Sequence, residues 1–155
     1  MRQELDELLC KKYPKIFANR YGDMRTTAMC WGFDCGDGWY DIINALCANI
    51  QEHIDWKISS RERLLLNNPH NLKVPDEVEQ LVAAQVKEKF GTLRFYTDGG
   101  DDYTHGIIRM AESMSAVTCE DCGNKGHIRH GGWIRTLCDV HAEERGYGEA
   151  NDGMA

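Results

Sequence analysis

The tightest constraint on this chain is a spacing near its C-terminal end. Cys119 and Cys122 are two residues apart, Cys138 and His141 are two residues apart, and fifteen residues separate the pairs. Two residues between ligands let one tight knuckle present both side chains to a single tetrahedral ion. Gly123, directly after the second cysteine, supplies the positive φ that such a turn needs. Between the pairs, His127–Arg129 and Trp133–Leu137 read as two short strands around His130, Gly131 and Gly132. Beyond Cys138, the run Val140–Arg145 holds good helix formers. Knuckle, hairpin and a ligand pair on a helix make a treble-clef finger; a zinc ribbon, with the second pair in another knuckle, is the close alternative. So short a stretch can hardly build an apolar core, so metal binding has to supply much of its folding free energy. Four protein ligands leave no open position for water, which predicts one structural zinc ion per chain and no catalytic one.

The remaining residues bound the rest. With 155 residues, the chain fits an α+β body over 1–117, the finger over 118–146 and a loose acidic tail over 147–155. Eighteen Lys and Arg against 25 Asp and Glu give a net charge of -7, and an acidic chain has no general affinity for a phosphate backbone. The seven cysteines are an odd number, Met1-Arg2-Gln3-Glu4 is no apolar leader, and no run reaches bilayer length. These features predict a reduced, cytoplasmic protein without a membrane partner. Cys10, Cys30, Cys35 and Cys47 fit no ligand pattern and read as small buried hydrophobes.

Periodicity sketches the body as helices packed on a small antiparallel hairpin. A first helix over 2–12 carries Leu5, Leu8 and Leu9 on one face. A stronger one over 39–54 has Trp39, Ile43, Leu46, Ile50 and Ile54 as its stripe, with Asp37 as N-cap and Asp41 in the first turn. Residues 57–76 read as an exposed connection, with a helical turn at Leu64-Leu65-Leu66. From Val82 to Thr97 the alternation gives a hairpin whose apolar face starts at Val82 and Ala84, with Gly91-Thr92 as a type II′ loop. A helix over 103–115 shows Tyr103, Ile107, Met110, Ala111 and Met114 on one face.

Several constellations compete for a functional role. The segment from Cys30 to Tyr40 concentrates Trp31, Phe33, Trp39 and three glycines around Asp34 and Asp37. It reads either as a recognition loop or, more economically, as a glycine-permitted loop whose aromatics fill the core. Arg94 and Tyr96 on the polar hairpin face extend that candidate surface, and Trp133 and Arg135 on the finger form a second patch. Lys125, Arg129, Arg135 and Arg145 offer a phosphate-binding alternative, diluted by Glu120, Asp121, Asp139, Glu143 and Glu144. His127 and His130 raise a metal-dependent nuclease of HNH type, but no Asp-His pair stands in the hairpin. Asp98, Asp101 and Asp102 read as a turn and a helix cap in preference to a cation site.

Four blocks carry a resemblance. They are Cys30 through Ile42, Gln85 through Tyr96 with its Lys-Phe-Gly-Thr-Leu-Arg-Phe core, Arg109 through Ser115, and Gly132 through His141. Together they resemble a family of small phage and prophage proteins over about residues 28–145. The resemblance implies an accessory protein of viral or prophage origin and brings no activity or catalytic residue with it. By analogy, the expected role is non-catalytic: binding a host or defence-related protein, or a ligand such as a nucleotide.

Overall fold

The computed structural model describes residues 1–147, which form four α-helices and five short strands in an α+β arrangement. Helix α1 spans Gln3–Lys12 and β1 is the two-residue strand Phe33–Asp34. Helix α2 spans Tyr40–Leu66, strands β2 and β3 are Val82–Lys89 and Thr92–Asp98, and α3 spans Asp102–Ser115. The finger supplies β4 (His127–Arg129), β5 (Arg135–Leu137) and α4 (Asp139–Glu144). Among the described residues, no helix is long and apolar enough to cross a membrane.

The hairpin forms as expected, but it is not alone and its turn sits one residue earlier. Strand β1 lies parallel to β2, Phe33 opposite Val86 and Asp34 opposite Lys87, so the sheet is mixed, in the order β1-β2-β3. The loop residues are Phe90 and Gly91, with Lys89 paired to Thr92. Their φ angles of 54° and 79° are both left-handed, the signature of a type I′ turn, whose twist matches the strands. A register shift between Ala83 and Gln85 rotates the start of β2, so Ala83, and not Val82 or Ala84, joins Val86, Leu93 and Phe95 in the core.

Helix α2 buries the expected stripe of Trp39, Ile43, Leu46, Ile50 and Ile54. It continues through Leu66, where an exposed connection had been expected; Trp56, Leu65 and Leu66 face outward on this extension, which is why no stripe announced it. Asp37 does not cap it: a turn of 3₁₀ helix at Asp37–Trp39 leads in, and the Asp37 carboxylate accepts from the Arg2 backbone N–H at 2.7 Å.

Helix α3 begins with Asp101 as N-cap, its side chain accepting from Thr104 N–H in a capping box. Its buried face is Thr104, Ile108, Ala111 and Ser115, whereas Tyr103, Met110 and Met114 are exposed. The reason is the free edge of β3. Leu93 N–H donates to Ser115 Oγ at 2.8 Å and Phe95 N–H donates to a Glu112 carboxylate oxygen at 3.0 Å. Buried backbone donors need acceptors, so the polar side of α3 turns toward the strand.

In α1, Leu9 is buried as expected, but its companions are Asp6 and Cys10 while Leu8 faces solvent. Asp6 is tolerated there because Arg20 grips both of its carboxylate oxygens, at 2.8 and 3.0 Å.

Candidate metal centre

The four expected ligands converge. All their donor atoms lie within 4.8 Å of one another, and among the described residues no other group of His, Cys, Asp and Glu does so. Cys119 Sγ is 3.5 Å and Cys138 Sγ 3.2 Å from His141 Nδ1, and Cys122 Sγ is 3.9 Å from Cys138 Sγ. A tetrahedron with metal–sulfur bonds of about 2.3 Å and metal–nitrogen bonds of about 2.0 Å has edges of roughly 3.5–3.8 Å. The set is therefore able to hold one metal ion.

Local backbone chemistry explains the convergence. The knuckle closes through Gly123 N–H to the Cys119 carbonyl at 2.9 Å and Cys119 N–H to the Asn124 carbonyl at 2.7 Å, with Gly123 at φ +79°. Strand β4 pairs with β5 and returns the chain to Cys138, the N-cap of α4, which places His141 in the first turn. Backbone N–H groups of His141 and Val140 hold the Cys138 thiol below its usual pKa, favouring the thiolate a metal needs. Glu144 Oε2 stands 3.9 Å from the other imidazole nitrogen of His141.

The finger is not a free appendage. Gly38 N–H donates to the Glu120 carbonyl at 2.7 Å, Gly36 N–H to the Glu120 carboxylate at 3.0 Å, and Trp39 Nε1–H to the Thr118 carbonyl at 2.9 Å. A Cβ on Gly38 would collide with the Cys119 carbonyl and with the backbone nitrogens of Cys122 and Gly123, so only glycine permits this approach. On the other side, Thr136 Oγ1–H donates to the Gly91 carbonyl at 2.6 Å, fixing the hairpin tip to β5. Tyr147 also belongs to this packing, its N–H bonded to the Ala142 carbonyl and its hydroxyl to the Trp133 carbonyl. The rest of the segment read as a loose tail, residues 148–155, lies outside the described residues.

For the Cys30–Tyr40 segment the more economical reading, aromatics that fill the core, holds for Phe33 and Trp39 but not for Trp31. Phe33 and Trp39 are buried, Phe33 edge-on to Phe17 at 5.0 Å. Trp31 is 70% exposed, Asp34 is exposed on β1, and Asp37 pairs with Arg2 at 3.3 Å. On the sheet, Arg94 bonds Thr92 Oγ1 and its neighbouring carbonyl, and Tyr96 is exposed with Lys87 over its ring.

Of the four residues of the alternative phosphate patch on the finger, Lys125 is exposed and the three arginines have internal partners. Arg129 is buried against the Leu137 carbonyl and paired with Asp139, Arg145 is held by Asp121, and Arg135 lies 3.4 Å from Glu120. His127 and His130 are exposed on the hairpin, outside the metal cluster. Asp101 serves as a cap and as the partner of His53 and Lys57, each at 2.8 Å. Burial pushes the Cys10 and Cys35 thiols up to about 12 and raises that of Cys47 further, which suits their reading as core residues.

Sequence reasoning missed Glu120 as the link between finger and body. The available signal was Gly36-Asp37-Gly38, since two glycines flanking one residue ahead of a buried tryptophan mark a close backbone approach. Comparison of the chain with family models, with curated proteins and with solved structures returns no match.

Proposed function

We propose that this chain is a non-catalytic binding protein braced by one structural zinc ion, which Cys119, Cys122, Cys138 and His141 hold in a treble-clef finger. The observation that carries this reading is the set of four donor atoms at tetrahedral spacing. Three thiolates with an imidazole suit zinc, and a fourth protein ligand takes the position that a catalytic water would need. Knuckle, β4–β5 hairpin and α4 follow the treble-clef order, because the second ligand pair opens a helix and not a second knuckle. Zinc would supply the folding energy that the finger's few buried residues do not.

The phage and prophage resemblance makes this an accessory protein that acts in the host cytoplasm on a host or defence-related protein or ligand. Its working surface is the face where finger and sheet meet, since that is the surface the metal shapes. Native mass spectrometry of the protein as purified tests the reading. One zinc per chain, lost together with finger structure on chelation, is the expected result. A folded finger without metal sinks it.

A further inference from the structure

A cleft of about 940 Å³ lies between the sheet and the finger. Strand β1 covers β2 only as far as Lys87, because the chain then leaves at Cys35 to dock Gly36 and Gly38 on the knuckle. The end of β2 and the Phe90 tip are left facing the finger loop Gly131–Arg135 across a gap.

Internal pairing leaves two ammonium groups of this cleft without an ion-pair partner among the described residues. Its Glu88 carboxylate accepts from Gly91 N–H at 2.6 Å and from Trp133 Nε1–H at 3.1 Å. Glu120 is taken by Gly36 N–H and Arg135, and Asp121 by Arg145. Lys87 and Lys89 make no ion pair among the described residues; their ammonium groups lie over the rings of Tyr96 and Phe90, at 5.8 and 5.5 Å. Against these two lysines stand the exposed carboxylate of Asp34 and that of Glu88, which keeps its charge but is turned to its own two N–H donors. The two ammonium groups, and not a net positive charge, are what this face offers an anion.

The aromatics are equally out of place. Phe90 is 68% exposed and Trp133 63% exposed, and both line the cleft. Phe90 also takes a left-handed conformation, φ 54°, at a turn position where Asn, Asp or Gly is at ease. A bulky aromatic held in strain and in water has no structural reward here. Trp133, by contrast, is deliberately fixed: Glu88 holds its indole N–H and Tyr147 holds its carbonyl.

We propose that this cleft binds a nucleoside phosphate, its base stacked on Trp133 and Phe90 and its phosphate held by Lys87 and Lys89. The proposal rests on the binding-protein reading above and names its ligand. Stacking tolerates any base, so it sets the class and not its identity. A free nucleotide fits better than a strand, because the finger arginines that would track a backbone are all internally paired.

Calorimetric titration of the zinc-loaded full chain with AMP, GMP, CMP, UMP and their triphosphates tests this, with adenosine, ribose 5-phosphate and a (dT)12 oligomer as separate arms. Saturable one-to-one binding of a nucleotide is expected, weakened about tenfold or more by Trp133→Ala and by the double change Lys87→Ala, Lys89→Ala. Zinc content and thermal midpoint, measured on each variant, separate lost binding from lost folding. Adenosine and ribose 5-phosphate should each bind at least about tenfold less tightly than the intact nucleotide. Absence of saturation by every nucleotide at millimolar concentration overturns the proposal, as does binding that both variants retain. Tighter binding of (dT)12 than of any nucleotide overturns the free-nucleotide form. Steady release of phosphate from a bound triphosphate would refute the non-catalytic reading and leave the ligand class standing. A protein partner that Trp133→Ala abolishes, with no nucleotide bound, would do the reverse.

Discussion

In the body, 22 buried apolar residues among those described form one cluster, whereas the finger's apolar cluster holds only Cys119, Leu137 and Ala142. The first part can fold by removing apolar surface from water; the second cannot on that alone, and the ion proposed for it, with what it leans on, would supply the rest. The two meet through glycine. Gly36, Gly38 and Gly91 let the backbones of the body and of the finger touch, so the knuckle becomes a wall of the body's own surface.

Removing the metal should break this comparison most visibly. Chelation, or Cys138→Ser, is expected to forfeit most of the binding free energy, which is about 10–16 kcal/mol for zinc-finger peptides. Hydrogen exchange should then show the β4 and β5 amides unprotected while α2, β2 and β3 keep their protection. If β5 stays protected in metal-free protein, the finger has a stability of its own and the contrast fails.

The junction is tested next. Gly38→Ala places a methyl group against the Cys119 carbonyl, and should cost about 1–3 kcal/mol as the knuckle is pushed away. Gly132→Ala is the control, because its Cβ meets nothing within 4 Å. Equal denaturant midpoints for the two variants would mean that the glycine contact does not hold the finger.

Acid separates the two regions by mechanism. Burial alone would raise the Asp101 carboxyl, but hydrogen bonds from Lys57, His53 and Thr104 N–H outweigh it and hold the group well below the usual carboxylate range. A depressed folded-state pKa gives stability that is fully present above the unfolded value of about 4 and is lost as pH falls below it. Asp101→Asn should therefore flatten the acid limb of body unfolding by about 1 kcal/mol, measured as midpoint against pH between about 2 and 6. Zinc release on acidification follows protonation of the ligands themselves and should not move in that variant. A shared shift in both would show that the two regions unfold as one.

Legibility from sequence followed the same divide. The metal centre could be read residue by residue because ligand chemistry is fixed by residue type and spacing, with no dependence on distant packing. The α2 stripe was equally open from Trp39 to Ile54, where Trp39, Ile43, Leu46, Ile50 and Ile54 are all buried. Beyond Ile54 the helix has no fully buried residue and only Ile58 still packs against the core, so periodicity had little to report. The α3 face was read correctly at Ala111 and Ile107 but not at Tyr103, Met110 and Met114, which lie outside. Ser115 and Glu112 turn inward to satisfy the β3 backbone, a need that exists only once β3 is in place. Strand β1 was invisible for a similar reason, being two residues paired to a strand some fifty positions away. The cleft follows from those long-range choices, so Lys87, Lys89 and Phe90 were not among the binding residues read from sequence.

Phe90 gives the finest test, because stability and binding should move in opposite directions there. Phe90→Asn puts a residue at ease in the left-handed region into the first position of the type I′ turn. Relief of that strain should stabilise the body by roughly 0.5 kcal/mol, seen as a raised denaturant midpoint with unchanged slope. The same change removes one stacking wall, so nucleotide affinity should fall while zinc content stays at one per chain. A stability gain with full affinity would leave Trp133 as the only stacking surface. No gain at all would mean that the hairpin tip, pinned by Thr136 to the finger, takes its turn geometry from the finger and not from its own two residues.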